Sequence, residues 1–390
     1  MPIRADPIVA AASVRDRLLG WLVRDAVPLW STRGVDQKSW AFVECLDPEG
    51  AAPLVPRRAR VQPRQVYAFA HAAGYGMPEL EPIALRGLDA FIEHYGRPDG
   101  LFRTLVGTNG APLDESVLLY DQAFALLGMA AGQQIAAVWE PSALDLLAAL
   151  RRDLGRPDGG FASGRSPDRP LESNAHMHLF EAALEWRGRS SEPVWSELAD
   201  ELASLAETRF VDPGSGAIRE HFDGAWRPIA ETHRGSVEPG HQFEWAWLFM
   251  CWQRRRDAPP SATALRLIEI GEAAGVRGDV AVDALRDDLS IQDGRARLWP
   301  QTERLKAGAL AATLTGDSRH WLAATAAAHA LERYLATSRP GLWHDRMDAG
   351  GDFPRGPAPA GNLYHLVGAI RALDAAVNEA STGRAEQVGR

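Results

Sequence analysis

Apolar side chains recur every three or four positions over residues 113–131, 142–154, 196–209, 262–274, 321–336 and 363–377, and this spacing predicts a helix in each segment. Long apolar–polar alternation is absent. The best strand candidates are the short stretches 217–222 and 225–229, both beside turns.

Gly and Pro punctuate the chain in a recurring form: D-P-E-G at Asp47, R-P-D-G-L-F at Arg97, R-P-D-G-G-F at Arg156, D-P-G-S-G at Asp212, Q-D-G-R at Gln292 and M-D-A-G-G-D-F at Met347. The aspartates at 47, 99, 158, 212, 293 and 348 are separated by 52, 59, 54, 81 and 55 residues. Six turns at a nearly constant period, with helical segments between them, predict a single all-α (α/α)6 barrel, a toroid whose inner helices line a central pocket. Short β-hairpins and loops, including the Gly/Pro-rich segment 351–361, are expected at the pocket mouth. The barrel is expected to span residues 1–380, with 381–390 as a frayed polar tail.

Three segments are polar where an inner helix should be apolar. Residues 236–249, S-V-E-P-G-H-Q-F-E-W-A-W-L-F, open a helix at Pro239 and Gly240 and place His241 and Glu244 three apart on one face, with Trp245 beside them. Residues 174–181, N-A-H-M-H-L-F-E, put Asn174, His178 and Glu181 on another face. His365 lies in G-N-L-Y-H-L-V, just inside the last long helix. A lone histidine is more often a core or surface residue; three such segments together form a constellation.

Composition narrows the ligand. Hydrophobic residues make up 46% and charged residues 24%, enough for a large core. The formal charge of −9, with no basic run, argues against a nucleic-acid or anionic-membrane partner and favours a small neutral ligand. Cys45 and Cys251 are the only cysteines, a count suited to a reducing compartment. The first residues lack a signal-peptide pattern, and Arg15, Asp16 and Arg17 break the apolar run 10–23, so a cytoplasmic protein without a membrane span is expected.

Two histidines with carboxylates suit proton transfer, because an ordinary imidazole titrates near about 6.5 and both takes and returns a proton. For an aldose the task is to remove the C2 proton, stabilise a cis-enediolate, and deliver the proton to C1 (isomerisation) or back to C2 (epimerisation). Activity is then expected to rise with pH through the imidazole range. Arg64 at the start of a helix supplies positive charge for the enediolate, and Glu303, after the Trp299–Pro300 turn, faces the pocket with Gln301 and Lys306 nearby. Trp245 and Trp299 are the tryptophans placed to stack on a sugar. His176 and His178 diverge on a helix, no zinc-protease or cysteine ligand set exists, and phosphate-cradling glycine loops are missing, so neither metal nor cofactor is expected. A G-x-S-x-G elbow is absent too. Glycoside hydrolysis would need two carboxylates facing one bond.

The segments P-R-Q-V-Y-A-F-A, N-A-H-M-H-L-F-E-A, E-P-G-H-Q-F-E-W-A-W-L, R-L-W-P-Q-T-E and Y-H-L, in this order, resemble the N-acylglucosamine 2-epimerase family of (α/α)6 barrel enzymes acting on free sugars. The form G-H-Q-F-E-W-A-W is similar to the aldose–ketose isomerase branch, which includes mannose and sulfoquinovose isomerases. The resemblance implies His365 as the base at C1 and C2, and His241 as the acid or base that assists ring opening. It implies that Arg64, Asn174, His178, Glu244 and Glu303 hold hydroxyls and orient the histidines. Some isomerases carry Gln four residues before the last histidine, where this chain has Gly361. The reading is a metal-independent isomerase of mannose and fructose, with lyxose and xylulose as a second pair, working as a monomer or homodimer. Its alternatives are a sugar 2-epimerase, a sulfoquinovose isomerase, and a non-catalytic sugar-binding protein.

Overall fold

A computed structural model describes residues 6–229 and 237–388, with side chains described as far as residue 382. Ser236, the first residue of one polar segment, and the first five residues of the expected barrel lie outside the described residues. Helix α1 (Pro7–Trp21) passes through one π turn into α2 (Val27–Arg33). Ten further helices follow as hairpin pairs: α3 (Val61–Ala73) with α4 (Leu80–Tyr95), α5 (Leu119–Ile135) with α6 (Glu140–Leu154), α7 (Ser173–Arg187) with α8 (Pro193–Leu205), α9 (Pro239–Arg254) with α10 (Ala262–Gly275), and α11 (Leu298–Thr315) with α12 (Ser318–Leu335). Helix α13 (Asn362–Val388) completes the set and continues through the segment expected to fray.

The odd-numbered helices from α3 to α13 pack in a closed inner ring, each against the next, and α13 returns to α3. The even-numbered helices from α4 to α12 lie outside, and α1 fills the sixth outer place between α12 and α13. This is the (α/α)6 barrel. Outer helices show the amphipathic stripe of a surface helix, whereas inner helices are buried nearly all round. In α3 every residue but Arg64 is buried.

The strands are pieces of two or three residues in antiparallel pairs at the loop end; some join sequence neighbours, and others, such as Cys45–Leu46 with Ala358–Pro359, join segments far apart in the chain. Of the two strand candidates, only His221–Phe222 forms a strand, paired with Leu171–Glu172; Ile218 and Pro228 make single bridges. The six aspartate turns fall into two classes. Those at Asp99, Asp158 and Asp212 belong to the hairpin that follows each outer helix, and those at Asp47, Asp293 and Asp348 adjoin strands further along the loops, Cys45–Leu46 paired with Ala358–Pro359, Ile291–Asp293 with Ala284–Leu285 and Arg346–Met347 with Ala296–Arg297. The 81-residue gap arises because the fifth repeat's first hairpin is Val276–Arg277 with Val280–Ala281. A stricter repeat marker is a glutamine in the first turns of an inner helix that clasps one backbone amide and carbonyl of the loop. Gln62 holds Phe42 this way, Gln122 holds Phe102, Gln242 holds Ile218 and Gln301 holds Ala281, at 2.7–3.0 Å. In the third repeat His176 takes this role, accepting from Phe161 N–H at 3.0 Å. These bonds satisfy the buried amides and carbonyls that the short bridges and strands of the loops leave unpaired, and so fix the loops over the helix N-termini.

Candidate active site

All inner helices start at the loop end of the barrel, so residues in their first turns converge on the axis. Arg64 and Tyr120 come from α3 and α5, Asn174 and His178 from α7, His241 and Glu244 from α9, Trp299 from α11, and Asn362 and His365 from α13; with Glu238 and Arg297 they line a polar cleft of about 160 Å³. The partial positive charge of the helix N-termini favours negative charge in this cleft. A larger hollow of about 450 Å³ lies at the opposite end of the barrel, walled by apolar residues such as Leu184, Trp247, Leu248 and Leu310 together with the charged Glu181, Glu185, Arg254 and Arg255. It holds none of the histidines.

His241 and His365 flank Trp299, with ring centroids 5.0 and 5.7 Å from the indole. Gly240 permits this close approach, since a Cβ there would meet the Trp299 ring at 2.5 Å. Each imidazole is anchored through Nδ1 to a carboxylate at 2.8 Å: His241 to Glu220 and His365 to Glu303. Nε2 is thereby left to a ligand on both rings.

Their charge states differ. Burial lowers the His241 pKa, but the carboxylates of Glu220 and Glu238 outweigh it and push the value up to about 9, so the ring is an imidazolium at neutral pH. His365 is brought down to about 4 by burial, which the Glu303 contact only partly offsets while Arg64 and Lys306 add to the fall; this ring is neutral. The sequence-based expectation of an activity rise through the ordinary imidazole range is thereby displaced in both directions.

Beneath the histidines lies a layer of buried charge. Glu303, fully buried, would be raised by burial, but Lys306 and His365 hold it at about 2. Lys306 Nζ is 2.7 Å from Glu303 Oε2. Burial, then the nearby Glu303, drives Glu244 well above the carboxylate range, so it is a neutral acid and a hydrogen-bond donor. Glu181 is raised by burial to about 7 and bonds the Tyr364 hydroxyl and His178 Nδ1. Three clusters, His178–Glu181–Glu244, Glu220–Glu238–His241 and Glu244–Glu303–His365, have donor atoms close enough to share a cation. Beside the third, the Lys306 ammonium pairs with Glu303 at 2.7 Å, and its charge also acts on Glu181 and Glu244.

The structure brings together Arg64, Asn174, His178, His241, Glu244, Trp299 and His365 around the cleft, with Glu303 directly behind His365. Trp245 does not join them: fully buried, it stacks on Phe180 at 5.9 Å and meets Phe210 and Phe249. Four residues from His241 on a helix, it is turned toward α7 and away from the inward line of His241, Glu244 and Leu248, so its aromatic neighbours claim it as core. Gln301 is a loop clasp, and His176 is structural, as its divergence from His178 implied. Arg64 donates to the Tyr120 hydroxyl at 2.5 Å and lies 4.0 Å over Phe124, with no carboxylate partner among the described residues.

Sequence reasoning missed Glu220, Tyr120, Tyr364, Glu238, Arg297 and Asn362. Glu220 carried a signal: in the candidate strand 217–222, alternation puts it on the same face as Ile218 and Phe222, where an acid has no place in a core. Arg297, bonded to Glu238 at 2.7 Å and Asp283 at 2.9 Å, carried none.

The chain matches the N-acylglucosamine 2-epimerase (GlcNAc 2-epimerase) family over residues 41–369. It is 43% identical to a mannose-6-phosphate isomerase of Rhizobium meliloti (strain 1021), covering 92% of this chain and 96% of that protein. A D-mannose isomerase of Thermobifida fusca is 28% identical over 78% of this chain and 81% of its own length. The crystal structure of a D-mannose isomerase superposes with a TM-score of 0.84 at 19% identity, covering 93% of this chain and 97% of that one, which establishes the shared fold.

Proposed function

Because the chain belongs to the N-acylglucosamine 2-epimerase family and is a sugar isomerase or epimerase, we propose that it interconverts D-mannose and D-fructose by proton transfer through a cis-enediolate, with His365 as base and His241 as acid. The observation that carries this reading is the pair of Nδ1-anchored imidazoles facing one small polar cleft, one neutral and one charged at neutral pH.

His241 donates its Nε2 proton to the ring oxygen as the C1–O bond of the pyranose breaks, and the anomeric hydroxyl releases its proton to the medium as the C1 carbonyl forms. His365 Nε2 then takes the C2 proton, the electron pair moves into the C1–C2 bond, and O1 becomes the enediolate oxygen. Arg64 and the neutral Glu244 are the donors placed to hold O1 and O2, assisted by the helix N-termini. Returning the proton from His365 to C1, with the O2 proton passing to O1, yields the ketose, and the proton released at ring opening restores His241. Trp299 offers its face to the sugar C–H surface. Incubation of the protein with D-mannose and identification of the products tests the reading. D-Fructose is expected, and an unchanged sugar or only a C2 epimer of the supplied aldose contradicts it.

A second reading, mannose 6-phosphate as the aldose, is favoured by the guanidinium of Arg64, which has no carboxylate partner among the described residues, and by the name of the R. meliloti relative. Gly361 supports it, since a Cβ there would approach Arg64 Nη1 to 3.3 Å and the glycine leaves that face open. Competition between the two sugars for one preparation separates these readings.

A further inference from the structure

Lys306 lies one helical turn beyond Glu303 on α11, 3% exposed, and is absent from the cleft lining. Its ammonium is bound on two sides, by Glu303 Oε2 at 2.7 Å and by the Trp247 ring face at 3.9 Å. The other oxygen of the same carboxylate, Glu303 Oε1, receives His365 Nδ1 at 2.8 Å. A single buried carboxylate therefore joins a lysine that touches no substrate to the histidine that does.

We propose that Lys306 is a positioning residue: its ammonium keeps Glu303 ionised, and ionised Glu303 holds His365 in the Nδ1–H tautomer that leaves Nε2 bare to take a proton. This rests on the reading of His365 as the base. A fully buried carboxylate without a cation takes up a proton rather than bear the desolvation cost. The groups facing Glu303 would drive it the same way once the ammonium is gone. Glu181 from α7 and Glu244 from α9 compete for negative charge in the same layer, and Tyr364 on α13 is a protonated phenol bound to Glu181. Arg64 on α3 and the His241 imidazolium on α9 are cations on the cleft side, Arg64 against Tyr120 and Phe124 and His241 against Glu220. A protonated Glu303 donates its proton to His365 Nδ1. The imidazole then carries its own proton on Nε2, facing the substrate, and has no lone pair there to accept the C2 proton.

Lys306→Met is expected to lower kcat about a hundredfold or more with KM changed by less than about twofold, the signature of a lost base rather than a lost contact. Nitrogen-15 NMR of histidine-labelled protein, with the His365 signals identified by their loss in His365→Ala, should show Nδ1–H in the wild type and Nε2–H in Lys306→Met. In a Glu303→Gln background the same substitution should add no more than about a twofold loss, because its effect runs through Glu303. Equal losses in both backgrounds, or an unchanged tautomer in Lys306→Met, overturn the proposal. Should Lys306→Met fail to fold, the wild type alone decides. An Nε2–H or doubly protonated His365 at neutral pH contradicts the proposal, and Nδ1–H from pH 5.5 to 8.5 upholds it. The tautomer is read without substrate, so it stands apart from the base assignment, which fails only if His365→Ala keeps its C2 proton exchange.

Discussion

The two histidine–carboxylate pairs have the same contact and opposite charge. His241–Glu220 and His365–Glu303 are both joined through Nδ1 at 2.8 Å, both are buried, and both rings lean on Trp299. The difference lies in what each carboxylate already holds. Glu220 has no cation competing for it among its described contacts with His241 and the Glu238 and Ser173 groups, and Glu238 adds negative charge on the same side. Glu303 shares its charge with Lys306, and His365 also feels Arg64. The acid and the base are thus distinguished by groups one layer behind the imidazoles, not by the pairs themselves.

The sharpest way to break that asymmetry is to remove the base. His365→Ala should lower the isomerisation rate by about 10³–10⁴-fold or more, measured as product formed per unit time. A loss under tenfold would leave the two sides equivalent. His241→Ala should cost about 10²-fold, since ring opening proceeds slowly unaided, and substrate supplied in open-chain form should recover part of the loss. Both variants are expected to remain folded, checked by thermal unfolding, because the rings face the cleft.

How far this asymmetry was legible beforehand depends on which helix is considered. The outer helices are visible as period-3.6 stripes because one face meets water; α10, expected over residues 262–274, is found at Ala262–Gly275. Inner helices such as α3 and α9 are buried on nearly every side, so no stripe exists, and their polar residues became the signal instead. His241, Glu244 and His365 stood out as polar groups in apolar surroundings. Trp245 misled for the same reason: composition places it beside His241, while only packing reveals that Phe180 and Phe210 take its ring. The charge states were beyond reach, because Glu220 and Lys306 act from neighbouring segments of the barrel that are distant in sequence from the histidines they tune.

Smaller effects sharpen the contrast. The wild-type rate should be level between pH limbs near 4 and 9: His365 must be unprotonated, so activity is lost as pH falls through about 4, and His241 must be protonated, so it is lost as pH rises through about 9. A single limb at the ordinary imidazole value of about 6.5 would show that neither ring is shifted. Glu220→Gln removes the leading source of positive shift on His241, so the upper limb should move down toward about 6.5 while the lower limb stays in place. Movement of both limbs would mean the two sides are coupled. The smallest effect is expected from exhaustive chelation, which should leave the rate unchanged because Lys306 already pairs with Glu303 and its charge also acts on Glu181 and Glu244. Loss of activity restored by one divalent ion would refute that.

Proton NMR of D-mannose in heavy water reads the C2 proton directly, with each variant in turn. The assignment of His365 as base predicts that the wild type exchanges this proton as it isomerises, that His365→Ala leaves it in place, and that His241→Ala retains a trace of exchange. Exchange at the wild-type rate in His365→Ala would contradict it and place the base on the other side of Trp299.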